Sequence, residues 1–173
     1  MTVDIIQKMI QEWHDFFIMV GGAAAALTGL VFVAMSLNLE AILKEETHRH
    51  RAIGTLAGFT AVFVICALVL MGGQNYQTVG IEWLIVSVVA TYIYVYGAVH
   101  ARQKGRSKLG LGFSRLVFGT ALYVFEILGA IILALGHIVG LYIAAIAMIL
   151  LLAYTITGAW LLVVGVYAEK AER

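Results

Sequence analysis

Long stretches of this chain carry almost no charged side chains, and short polar breaks separate them. Five stand out: residues 16–39, 52–71, 81–100, 113–135 and 138–168. About 20 helical residues cover the ~30 Å hydrocarbon core of a bilayer. Each stretch is long enough, and each predicts a membrane-spanning helix. The expected fold class is all-α integral membrane, a single transmembrane domain over residues 1–173. The last stretch exceeds the bilayer core, so it should tilt or project into water. Gly72-Gly73-Gln74-Asn75 breaks the second helix from the third, and Gly136-His137 leaves room only for a tight hairpin between the fourth and fifth. Glu82 and Trp83 mark the start of the third helix at the interface, where tryptophan is favoured.

Residues 1–15 follow another pattern. Val3, Ile6, Ile10 and Trp13 fall at helical spacing on one side, while Asp4, Gln7, Lys8 and Gln11 occupy the other faces. That pattern predicts an amphipathic interfacial helix lying in the membrane surface. Asp4, Glu12 and Asp15 deny the start the positive character of a secretory leader, so the first apolar run is expected to stay as a helix.

Composition strengthens this reading. Apolar residues make up 62% of the chain, against about 45–50% in soluble domains. The lipid bilayer is thus the first expected partner. A net charge of +1 lacks the basic footprint of a nucleic-acid binder. Cys66 stands alone, so neither an intrachain disulfide nor a cysteine metal site is expected. No proline is present to kink a helix.

Basic residues set the expected orientation. Lys44, Arg49 and Arg51 lie in the first loop, and Arg102, Lys104, Arg106 and Lys108 in the third, with Arg115 just beyond. Lys170 and Arg173 lie in the tail. Five crossings put ten of the eleven Lys and Arg residues on one side, leaving Lys8 on the other. Lysine and arginine favour cytoplasmic loops. The amino terminus is therefore expected outside and the carboxyl terminus in the cytoplasm of a multi-pass cell-membrane protein.

One deep residue raises a chemical question. Glu126 falls near the middle of the fourth helix, where a carboxylate costs at least ~2.5 kcal/mol. Gly119, Tyr123, Gly129 and Ala130 share its face and let another helix come close. Thr28, Thr91, Tyr92, Tyr154 and Thr155 lie at similar depth and are the candidate partners or pathway residues. Glu126 is read either as an ion or proton site or as a protonated acid tying two helices together. Tyr92, Tyr96 and His100 form a stripe on the third helix, and His48-Arg49-His50-Arg51 a basic edge facing anionic headgroups. Gly21, Gly22, Ala25, Ala26 and Gly29 bring small side chains to the first helix at spacings that permit close packing, within the subunit or between subunits.

No His-Glu-x-x-His, Gly-x-Ser-x-Gly or phosphate-binding glycine loop occurs, so neither an enzyme, a metal site nor a cofactor is expected. The segment GGAAAALTGLVFVAMSLNL, Gly21 to Leu39, resembles the first helix of a loose group of small bacterial multi-pass membrane proteins, some labelled modulators of the FtsH protease. That resemblance covers one helix and implies no site residues. Two functions are therefore expected. One is an oligomeric ion channel or transport protein with Glu126 in or beside the pathway. The other is an accessory or regulatory subunit that binds another membrane protein, such as a membrane protease or larger complex.

Overall fold

The computed structural model describes residues 13–44, 46–104 and 111–171, and these residues are helical with short turns. The helices are α1 (His14–Leu37), α2 (Leu39–Lys44), α3 (Glu46–Leu70), α4 (Tyr76–Lys104), α5 (Leu111–Ala134) and α6 (Val139–Ala171). All but the short α2 are long and apolar enough to cross a membrane, which gives five spans. Residues 1–12, most of the expected interfacial helix, lie outside the described residues. His14 and Asp15, included in that element by the sequence pattern, form the first turn of α1.

Local chemistry explains the turns. At Asn38 the first helix bends into α2: Asn38 Nδ2 donates to the Ala34 carbonyl at 3.0 Å, and Ile42 N returns to the Asn38 carbonyl at 3.0 Å. Asn75 caps α4, its Oδ1 accepting from Thr78 N at 2.8 Å and Thr78 Oγ1 at 2.9 Å. Helix α4 therefore starts five residues before the apolar run begins at Ile81. Between α5 and α6, Gly136 N donates to Leu133 O and His137 N to Ile132 O, a Schellman closure. Gly136 holds φ at +96°, open to glycine without a Cβ penalty.

The helices pack as a bundle. Helix α3 lies against α1, α4 and α6, and α5 lies against α4 and α6. Apolar side chains cover the outside: Leu30, Phe32, Leu37, Phe118 and Leu161 are all exposed. In water such a surface would be an association patch; in hydrocarbon it is solvated. Trp160, 68% exposed, sits on the basic end of α6 at interfacial depth. The chain is a multi-pass α-helical membrane protein.

Close approach of backbones holds the half of the bundle that carries the α5–α6 turn. A Cβ on Gly129 would lie 2.5 Å from Ala144 N, and one on Gly140 would lie 2.5 Å from Gly129 O. One on Gly80 would overlap the Ala134 backbone. These glycines let α5 touch α4 and α6 with no side chain between, as lipid-embedded helices require for dispersion contact.

Candidate site around a buried glutamate

Glu126 is 2% exposed, inside the bundle, about 12 Å from the carboxyl-terminal end of α5 at 1.5 Å per residue. Trp83 Nε1 donates to its Oε1 at 3.3 Å. The indole is 1% exposed and packs edge-on against Phe17 of α1, with ring centroids 6.0 Å apart. Ser87, one turn beyond Trp83, presents its hydroxyl to the same carboxyl, outside hydrogen-bonding geometry. Cys66 of α3 and Tyr123 of α5 complete the neighbourhood. Gly21 packs against Cys66, where a Cβ would lie 2.8 Å from the cysteine Cβ. Residues of α3, α4 and α5 thus surround the carboxyl, with α1 packed behind Trp83 and Cys66, and leave Glu126 2% exposed.

The deep hydroxyls expected to serve Glu126 do not bond to it. Thr28 Oγ1 donates to Ala24 O at 2.7 Å, and Thr91 Oγ1 to Ser87 O at 2.6 Å. Thr155 Oγ1 donates to Leu151 O at 2.9 Å. A threonine in a span satisfies its hydroxyl on its own helix, because a carbonyl one turn back is always within reach. Tyr92 is 67% exposed and stacks on Tyr96, facing outward. Tyr154 joins a second polar cluster nearer the basic end. Its hydroxyl lies 2.7 Å from that of Tyr94 and donates to Arg115 O at 3.0 Å, while the Arg115 guanidinium sits 5.0 Å from its ring centroid. A Cβ on Gly119 would overlap the Tyr94 hydroxyl, so this cluster too depends on a missing side chain.

The small residues of α1 divide. Gly21 is buried, whereas Gly22, Ala25, Ala26 and Gly29 are exposed. A Cβ on Gly22 or Gly29 would meet nothing within 4 Å. Among the described residues no three metal-ligating side chains converge.

Sequence reasoning missed Trp83 and Ser87. Starting the helix at Ile81 left Trp83 at the interface, but the Asn75 cap moves it two turns into the span. Gly80, Trp83, Ser87, Ala90, Tyr94 and Gly97 recur three and four apart, and all but the half-buried Tyr94 are buried. That stripe of small and polar residues was the available signal.

No protein-family model, curated protein or solved structure matches the chain. Its own residues make it a polytopic α-helical membrane protein with a carboxyl buried among its spans.

Proposed function

We propose that this chain is an accessory membrane subunit that binds a transmembrane helix of another membrane protein along the Gly22–Gly29 seam of α1. The observation that carries this reading is a contrast between glycines. Gly21, Gly58, Gly80, Gly119, Gly129 and Gly140 each have an atom within 3.0 Å of a notional Cβ. In this bundle, deep glycine accompanies helix contact. Gly22 and Gly29 alone among the described membrane-span glycines have nothing within 4 Å, and Ala25 and Ala26 beside them are exposed. Such a surface offers lipid tails little to pack against and offers a helix with its own small residues a close backbone approach.

The Glu126 geometry favours this reading over a conduction path. A pathway needs water or polar surface at the carboxyl, and Glu126 is 2% exposed. The two outer grooves are lined by other residues. A membrane protease would be one such partner, as the resemblance of Gly21–Leu39 to proteins labelled protease modulators would imply.

A photoreactive residue at Ala26, in cells, is expected to give one discrete heavier protein adduct. The same residue at Ile149, 47% exposed on α6, should give lipid adducts. Gly22→Ile with Gly29→Ile should reduce the Ala26 adduct more than tenfold while the purified protein keeps its melting temperature. Lipid adducts alone at Ala26 would remove the proposal. An adduct at twice the chain's mass would replace it with self-association.

The Lys and Arg distribution further leads us to infer that the amino terminus lies outside. Thr78→Cys should react with an impermeant maleimide on intact cells and Lys44→Cys only after permeabilisation, against a silent background from buried Cys66. The reverse order would invert the topology.

A further inference from the structure

Two imidazoles from different helices face each other at the basic end of the bundle. His50 opens the second turn of α3, His100 stands near the end of α4, and both are half-buried. Their ring centroids are 6.0 Å apart, with 42° between the planes. A glycine brings them together. A Cβ on Gly97, one turn before His100, would lie 3.4 Å from the His50 carbonyl, 3.7 Å from its Cβ and 3.9 Å from its Nδ1. The pair therefore sits at a close approach of two helices. The edge from His48 to Arg51 does not act as one patch: Arg49 pairs with Glu46 at 3.6 Å, His48 Nδ1 is buried without a partner, and His50 turns toward α4.

Hydrogen bonding decides where the lone pairs lie. His100 Nδ1 is 3.0 Å from the Tyr96 carbonyl, one turn back. A carbonyl only accepts, so Nδ1 carries the hydrogen, and in the neutral ring Nε2 carries the free lone pair. The Tyr96 ring, 4.0 Å away between centroids, packs against the imidazole and holds its orientation. Metal-bound histidines are held this way, one nitrogen donating to a carbonyl while the other ligates. Among the described residues nothing bonds to the His50 nitrogens, and they are not sealed in as His48 Nδ1 is. Two imidazoles on one ion, each nitrogen about 2.0–2.1 Å from it, hold their centroids roughly 5–6 Å apart. The observed separation falls at that distance.

We propose that His50 and His100 form an interhelical site for one first-row divalent cation of imidazole preference, with water filling its other positions. The donors select the ion. Ca²⁺ and Mg²⁺ take oxygen ligands, and among the described residues no carboxylate or thiol joins the two rings as a third ligand. Imidazole nitrogen favours Cu²⁺ over Zn²⁺, and both over Mg²⁺. Two protein ligands leave the ion exchangeable, and while bound it ties α3 to α4. The site is separate from the α1 seam and from Glu126.

Copper is the probe, added as Cu²⁺ to the detergent-purified full chain freed of any histidine tag. Titration calorimetry should show one Cu²⁺ per chain, displaced by Zn²⁺ and not by Mg²⁺. Electron paramagnetic resonance of the same sample should show coupling to two imidazole nitrogens. That count is read on the parent chain and needs no variant to fold. His50→Gln and His100→Gln should each weaken binding about tenfold or more, because losing even the outer partner of a ligand costs that much, and each should leave one coupled nitrogen. His48→Gln and His137→Gln should change neither affinity nor spectrum. A parent spectrum with one coupled nitrogen or none overturns the proposal. So does displacement by Mg²⁺, or an equal loss on His48→Gln, which marks adventitious copper on the histidine-bearing edge.

Discussion

Glu126→Ala should lower the stability of the purified protein by about 2–4 kcal/mol, whereas Glu126→Gln should cost less than about 1 kcal/mol. The difference follows from what surrounds the carboxyl. Alanine removes the acceptor of the Trp83 N–H, which is 1% exposed and has no water to turn to. An orphaned buried donor costs ~1–3 kcal/mol, and the space left by the side chain adds a cavity term. Glutamine keeps an acceptor oxygen and nearly the same volume. Interhelical hydrogen bonds in membranes average only ~0.6 kcal/mol, so most of the alanine effect should come from lost volume and the stranded indole. Trp83→Phe provides the check: it removes the donor together with three heavy atoms of a buried ring, so a smaller cavity cost adds to the lost bond, and it should fall between the two. Reversible unfolding in mixed micelles measures all three. Equal destabilisation by glutamine and alanine would mean that the carboxylate charge itself is needed, and would reopen the pathway reading.

The spans were legible because hydrocarbon imposes a length and a composition that few other contexts share. Their ends were less so. Apolar runs mark where lipid begins, but hydrogen-bonding side chains such as Asn75 decide where a helix begins, and α4 gained five residues that way. That displacement hid the partner of Glu126. The depth of Glu126 could be read from sequence, and so could its inward direction, from Gly119, Gly129 and Ala130. Which helix faced it could not, because threonines and tyrosines at equal depth look equivalent until their own backbones are considered. The small residues posed a similar ambiguity. Gly21 and Gly22 are neighbours with the same composition around them, yet a rotation of about 100° along the helix places one against Cys66 and the other outside. Spacing identifies a face that can pack; only the bundle decides which face is already used.

That distinction makes glycine position a quantitative test of the fold. Gly129→Val should be among the most damaging single substitutions in the spans, and Gly22→Val nearly silent for the isolated protein. At Gly129 the added Cβ would lie 2.5 Å from Ala144 N and 2.9 Å from both its Cα and Cβ, so the obstacle is backbone and cannot rotate aside. Helices α5 and α6 would have to separate, and the Gly140 contact across the same seam would be lost with it. Overpacking a close core costs ~1–3 kcal/mol when neighbours can adjust, so a clash with backbone on both helices should exceed 3 kcal/mol. The tight Leu135–Ile138 turn ties the helices near this crossing and leaves no slack to absorb the shift. Loss of the monodisperse particle, or a fall in melting temperature far beyond that of Gly22→Val, is the expected result. A Gly129→Val protein as stable as the parent would mean that α5 and α6 do not cross where the glycines meet, and Glu126, one turn away on α5, would lose its enclosure.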